Sequence, residues 1–432
     1  MKTKYFVYFL YISVIFFLGK KTVLSMSTVF SVESEWLGAL SQRQPRAAKL
    51  LSQGPEEQQR LGYFHTLREI CQQPATWIQT CALLRASAAR LQSKLNGISS
   101  LTLTGSGSSE YAGDCVRPVL QDELGVISQA IGGGILLGQG GRSLPPGRPG
   151  LLVSLARSGD SPESVGAVAH ILETEPEIRH LVFTCNQNGS LARTYGNDPR
   201  VAVVTLDDVT NDRSLVMTSS FTNLVLAARS LGLVGRPERY ESICHQLSQI
   251  GSQFINDHFG ALAEVAQAPF QRAVFLASGS RFGGVREASL KMLEMTSGRV
   301  TTMCETYLSF RHGPMAYVND DTLVVCCLSS DAMLRAYESD LIRELNEKKL
   351  GLAKVLIGEN VPDDLARDGD TVLECPGLRA LGDENFPVID VLAGQLLAFF
   401  RCRQEGLRPD SPSEDGVISR VVRSFTLHPL KS

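Results

Sequence analysis

Glu287, Lys291 and Glu294 are spaced four and three residues apart, so a helix over Gly284 to Ser297 puts two carboxylates and an ammonium on one face. Such a stripe is ordinarily a solvated helix face. Downstream, Glu305-Thr-Tyr-Leu-Ser-Phe-Arg311-His312-Gly313-Pro314 ends in a Gly-Pro turn that fixes an adjacent Arg-His pair. A lone histidine is most often structural, but a neutral imidazole together with a carboxylate is what a proton shuttle on a carbohydrate requires. Two other segments are built to hold an anion. Gly105-Ser106-Gly107-Ser108-Ser109-Glu110-Tyr111 and Arg157-Ser158-Gly159-Asp160-Ser161-Pro162-Glu163-Ser164 each follow a β-rich run and lead into a helix. Glycine lets the backbone turn tightly against an anion, while the first N–H groups of the helix and the serine hydroxyls donate to it. Neither segment is a P-loop, because no Gly-Lys-Ser/Thr follows, and the serine-rich spacing departs from GxGxxG. The plain alternative for either turn alone is N-capping by Ser, Thr or Asp.

The elements that must position these residues are legible in the periodicity. From about Thr28 to Lys94 the pattern is helical and polar, with helices expected over Glu56 to Ile70 and Trp77 to Leu95. From Leu101 onward, short β-rich runs alternate with helical stretches, which indicates βαβ units on a parallel sheet. An internal repeat organises the remainder. Leu101 to Ser108 recurs as Val274 to Ser280 at an offset of 172, and Leu152 to Asp160 recurs as Leu323 to Asp331 at 171. Leu191-Ala-Arg193 recurs as Leu365-Ala-Arg367 at 174, and Arg229 recurs as Arg401 at 172. The core is therefore expected to be two copies of one α/β domain, residues 85–235 and 255–410, joined by a helix around Ser242 to Gln267. Two hydroxyl-rich turns after neighbouring strands of one sheet would converge at its C-terminal edge, where open α/β sheets bind ligands. The copies are unequal. The second keeps Ser278-Gly279-Ser280 but lacks the Ser-Pro-Glu-Ser tail, so the first is the better phosphate site and the second contributes the acid/base groups.

The chain has 432 residues, 42 Lys+Arg against 45 Asp+Glu, and ten cysteines. At roughly 100 to 200 residues per domain, this suggests two or three domains, each able to bury a core. The near-neutral balance argues against nucleic acid as a partner, since such proteins cluster excess Lys and Arg. The cysteines show no CxxC and no zinc spacing, and read as reduced thiols of a cytoplasmic protein. At the start, Lys2 and Lys4 precede the apolar run Tyr5 to Leu18, the outline of a secretory signal that is too short for an ordinary membrane span. The alternative is that residues 1–25 are a mis-annotated leader and that translation begins at Met26. No stable membrane insertion is expected.

The ordered motifs resemble the SIS (sugar isomerase) fold. Leu290-Lys-Met-Leu-Glu294 followed by Phe310-Arg-His312-Gly-Pro314 resembles the isomerase half of glucosamine-6-phosphate synthase. The closer resemblance is to the tagatose-6-phosphate ketose/aldose isomerase family, also described as galactosamine-6-phosphate deaminase. It rests on Ala156-Arg-Ser-Gly-Asp-Ser-Pro-Glu-Ser164, Thr210-Asn-Asp-Arg213, Met217-Thr-Ser-Ser-Phe221 and Phe310 to Pro314, and runs from about Arg60 to Pro429. The resemblance implies an α/β protein: two tandem SIS domains, flavodoxin-like with a parallel sheet in a three-layer αβα arrangement, a helical N-terminal arm over 26–84, and a C-terminal tail over 411–432 that closes on the site. It implies phosphate contacts from Ser106, Ser108, Ser109, Ser158 and Ser161, with Gly107, Arg157, Arg311 and Arg423 completing the substrate-binding set. Glu294 would be the base at C1 and C2, Lys291 would sit by the reacting oxygens, and His312 would open the ring from across a dimer. The expected ligand is a phosphosugar, the expected assembly a homodimer or higher homo-oligomer, and no metal or redox cofactor is implied. With no glutaminase segment to supply ammonia, deamination of galactosamine 6-phosphate or plain ketose/aldose isomerisation is expected rather than amination. The rival from another class is a non-catalytic sugar-phosphate sensor, which would keep the serine turns and have no use for Glu294 and His312.

Overall fold

The computed structural model describes residues 44–428 together with Leu40 and Gln42. The leader expected over 1–25, and the alternative start at Met26, lie outside the described residues. Within the described residues from 44 onward, five helices precede the first strand: α1 (Pro45–Leu51), α2 (Pro55–Arg60), α3 (Phe64–Cys71), α4 (Gln73–Ala86) and α5 (Ala88–Leu95). The two longer helices expected here are each interrupted, at Gly62 with a left-handed φ of 69° and at Ser87. The arm packs onto the body. Tyr63, Leu67, Ile70 and Trp77 are fully buried, and the Trp77 indole donates to Thr222 Oγ1 at 3.0 Å.

Two five-stranded sheets follow. The first comprises β1 (Ser100–Gly105), β2 (Ile127–Gly132), β3 (Gly150–Ala156), β4 (Ile178–Thr184) and β5 (Val201–Thr205). The second comprises β6 (Arg272–Leu276), β7 (Thr301–Glu305), β8 (Thr322–Cys327), β9 (Ala353–Gly358) and β10 (Thr371–Glu374). Every pairing is parallel, and the orders β2-β1-β3-β4-β5 and β7-β6-β8-β9-β10 are one topology used twice, as the repeat required. Strands β1, β3 and β8 are buried along their whole length, which is why they read as runs such as Leu151-Leu152-Val153 and Leu323-Val324-Val325.

The first copy carries helices α6 (Ser108–Leu124), α7 (Gly133–Gln139), α8 (Pro162–Thr174), α9 (Ser190–Tyr195) and α10 (Ser219–Arg229). The 29-residue α11 (Pro237–Val265) leads into the second, which carries α12 (Phe282–Met295), α13 (Tyr307–Phe310), α14 (Ala332–Glu347), α15 (Leu378–Leu381) and α16 (Pro387–Gln404). The copies meet through α6 and α12. A Cβ on Gly283 would lie 2.6 Å from the Cys115 nitrogen, and Arg286 pairs with Asp114, the residue at its equivalent place in the repeat. On its other side α12 presses on α16, where a Cβ on Gly394 would meet Ala288 Cβ at 2.4 Å. These close approaches fix the position of α12 relative to the first sheet. Among the described residues, no helix is long and apolar enough to cross a membrane.

Candidate active site

In the first copy the strand order reverses between β1 and β3, so the turns after these two strands diverge and leave a crevice at the sheet's C-terminal edge. Both anion-holding segments lie there. After β1, Gly105 is pressed by the first turn of α6, since a Cβ would sit 2.6 Å from the Ser109 carbonyl carbon, and Gly107 takes a φ of 57° at the helix N-cap. Ser108 and Ser109 are buried in that first turn, and Ser106 Oγ is buried with no hydrogen-bond partner among the described residues. After β3, Gly159 has a φ of 69°, Ser158 Oγ accepts from the Asp160 N–H at 3.2 Å, and the Asp160 carboxylate is held by the N–H and hydroxyl of Ser190, both at 2.8 Å. The crevice is a cavity of about 680 Å³ lined by Ser106 to Ser109, Arg157 to Gly159, Ser161, Glu163, Glu294 and tail residues from Gly416 to Arg423.

Glu294 is the residue that belongs to the other copy. Helix α12 brings it to the rim with its side chain 24% exposed, while Glu287 and Lys291 behind it are fully buried. The stripe is therefore no solvated face. The Lys291 ammonium pairs with Glu287 at 3.1 Å, donates to Ser108 Oγ at 3.1 Å and makes a close pair with Glu294. One cation thus ties the hydroxyl rim of the first copy to the carboxylate of the second. Burial pushes the Glu287 carboxyl up to about 7. Burial also opposes charge on Lys291, but Glu287 and Glu294 outweigh it and hold the ammonium above its ordinary range.

The tail is clasped over this cavity. Arg157, buried at the end of β3, donates to the Leu215 carbonyl at 2.9 Å and to the Arg420 carbonyl. Arg420 in turn donates to the Asp212 carbonyl at 2.8 Å and to Asn211 Oδ1 at 2.7 Å. The loop receiving these bonds is itself fixed. Asp212 caps α10 through the N–H groups of Thr218, Ser219 and Ser220, and the buried Glu69 of α3 accepts from the N–H of Arg213 and the hydroxyl of Ser214. Arg157, expected to contact substrate, lines the cavity and also ties tail to loop through its guanidinium. Arg423 lines the cavity and has no ion pair among the described residues.

Arg311 and His312 are placed elsewhere in the chain. They follow α13, off the edge strand β7, are exposed, and neither lines the cavity of its own chain; Arg311 pairs with Glu344 at 3.0 Å. Arg311 and His312 therefore do not line this crevice within a single chain; the loop that carries them follows an edge strand of the second sheet. Three contributors had no role assigned from sequence: Glu163 on the cavity wall, Glu69 under the loop, and Arg420 as the clasp. Asp212 stands inside the Thr210-Asn-Asp-Arg213 motif, which was the available signal for that loop.

No family model matches the sequence. The chain is 37% identical over 374 residues to the AgaS protein of Streptomyces coelicolor, covering 85% of this chain and 96% of that one. It is 32% identical over 371 residues to the D-galactosamine-6-phosphate deaminase AgaS of Escherichia coli, covering 84% and 95%. The solved tagatose-6-phosphate ketose/aldose isomerase from Escherichia coli superposes with a TM-score of 0.77 at 29% identity, over 85% of this chain and 97% of that one.

Proposed function

The chain belongs to the D-galactosamine-6-phosphate deaminase AgaS family, and from that premise we propose that it converts galactosamine 6-phosphate to tagatose 6-phosphate and ammonia. The units that do so are residues 85–235 and 255–410 as two SIS domains, 26–84 as the arm and 411–432 as the closing tail. Ser106 to Ser109, Ser158 and Ser161 take the phosphate, and Arg423 approaches the sugar from the tail. Fixing the phosphate orients C1 and C2 against Glu294, and orientation of this kind is a large part of the rate. Glu294 removes the proton at C2 of the open-chain amino sugar and returns it at C1, which turns the aldehyde amine into a ketimine. Water adds to the ketimine and ammonia leaves. Lys291 stabilises charge on the oxygen at C1, and His312, from the partner of a homodimer, assists ring opening with Arg311 beside it. Phosphorylated sugars are retained inside cells, which supports a cytoplasmic enzyme.

The observation that carries this reading is Lys291, whose ammonium joins Ser108 of the anion rim to Glu294. A sensor needs the rim but has no need for that carboxylate. Plain ketose/aldose isomerisation is the second reading, favoured by the name of the Escherichia coli structure. Incubating the purified protein with galactosamine 6-phosphate separates the readings. Ammonia and tagatose 6-phosphate in equal amounts are expected; interconversion without ammonia selects the isomerase, and tight binding without either product selects the sensor.

A further inference from the structure

The repeat gives the second copy a crevice of its own, between β6 and β8, where the strand order reverses again. Its rim is preserved in detail. Gly279 takes a φ of 57°, as Gly107 does, and Ser329 Oγ accepts from the Asp331 N–H at 3.0 Å, as Ser158 Oγ does from Asp160. The donors of its β8 turn, on Ser329 and Ser330, are already taken. Glu338 accepts from the Ser329 N–H at 2.7 Å, and Asp383 accepts from the Ser330 N–H at 2.9 Å and from the Ser329 hydroxyl. Arg281 closes the floor, fully buried and paired with both oxygens of Asp390. The matching residues of the first copy, Ser158 and Gly159, line the cavity. The machinery is lost on this side as well. The positions of α6 equivalent to Glu287, Lys291 and Glu294 are Cys115, Val119 and Asp122, so neither the buried cation nor its buried partner exists there.

We propose that this second crevice is a latent dianion site which the chain closes with its own carboxylates, Glu338 and Asp383 standing where a phosphate group would. Two carboxylates carry about the charge of a phosphate monoester and use the same oxygen-acceptor chemistry. Each chain therefore takes one phosphate-class ligand, although its fold has two rims.

The test uses the full chain and inorganic phosphate, so its outcome does not depend on which sugar is turned over. In equilibrium dialysis, the Glu338→Ala/Asp383→Ala variant is expected to bind one more equivalent of phosphate per chain than the parent, and phosphate is expected to raise its melting temperature more. Ser158→Ala/Ser161→Ala in the parent background is expected to weaken phosphate binding by about tenfold or more. A folded double variant with no gain overturns the inference, and so does a parent that already binds two equivalents of phosphate per chain. If the double variant does not fold, Asp383→Ala alone, at a half-buried position, is expected to gain phosphate-dependent stabilisation; no gain there overturns it too.

Discussion

A carboxylate can move a proton between adjacent carbons only if it is held against them. Glu294 is held by Lys291 and faces the cavity. Glu294→Gln preserves shape and removes the base, so ligand binding is expected to persist while exchange of deuterium at C2 falls by about 100- to 10,000-fold. Exchange at the parental rate would remove Glu294 from its assigned role. Ser108→Ala with Ser158→Ala acts on the other half of the task, and is expected to raise KM by about tenfold or more, as lost hydrogen bonds to a charged group do. Behind these residues, Glu287 gives the site a pH signature. Burial raises its carboxyl from an ordinary 4.5 to about 7, so between those values the folded chain holds a proton that the unfolded chain has released. The stability tied to the protonated form is present below about 4.5 and is lost as pH rises through about 7, with a slope of at most about 1.4 kcal/mol per pH unit. Glu287→Gln cannot titrate. The difference in melting temperature between variant and parent is therefore expected to move in the variant's favour from pH 5 to pH 7; a constant difference would mean that Lys291 keeps Glu287 ionised throughout.

At the scale of elements, the site is an agreement between two turns, one helix and one tail. The turns and the helix were legible in the sequence because each carries a local signal: glycines where φ is positive, hydroxyls at helix starts, and a repeat that doubles the evidence for every strand it contains. What escaped was encoded by contact alone. The edge strands β2 and β7 are only partly buried, so neither shows the apolar run that marks β1 or β8. The burial of Glu287 and Lys291 follows from α12 being wedged between α6 and α16, and nothing along α12 separates that from a solvated stripe. Arg157 has the motif of a ligand contact and lines the cavity, but nothing in that motif signals that its guanidinium also donates to carbonyls distant in sequence, among them that of Arg420. The tail clasp has its own prediction. Arg420→Ala removes two bonds to the 211–212 backbone and side chain, and is expected to raise KM by about tenfold with kcat less affected, together with faster amide exchange over the tail. The helix wedge has another. Gly283→Ala forces α6 and α12 apart and is expected to cost about 1 to 3 kcal/mol in a denaturant melt, with kcat falling because Glu294 moves with its helix.

At the scale of the whole molecule, one chain builds a cavity lined by the Glu294 carboxylate and by no histidine. His312 stands exposed off the edge of the second sheet, outside the cavity of its own chain, and a ring-opening role for it requires a second chain to deliver it. In a two-fold dimer such a contribution is reciprocal: if one protomer lends His312, its partner lends the same residue back. That reciprocity gives complementation a definite yield. A dimer of one Glu294→Gln chain and one His312→Ala chain has one cavity carrying both lesions and one carrying neither. Random exchange of equal amounts makes half the dimers mixed, so a mixture of two nearly inactive proteins is expected to recover about a quarter of the parental activity. If both residues served a cavity within one chain, every cavity in the mixture would carry a lesion and mixing would restore nothing. Ammonia release from galactosamine 6-phosphate, followed before and after the two variants are unfolded and refolded together, reads the difference directly.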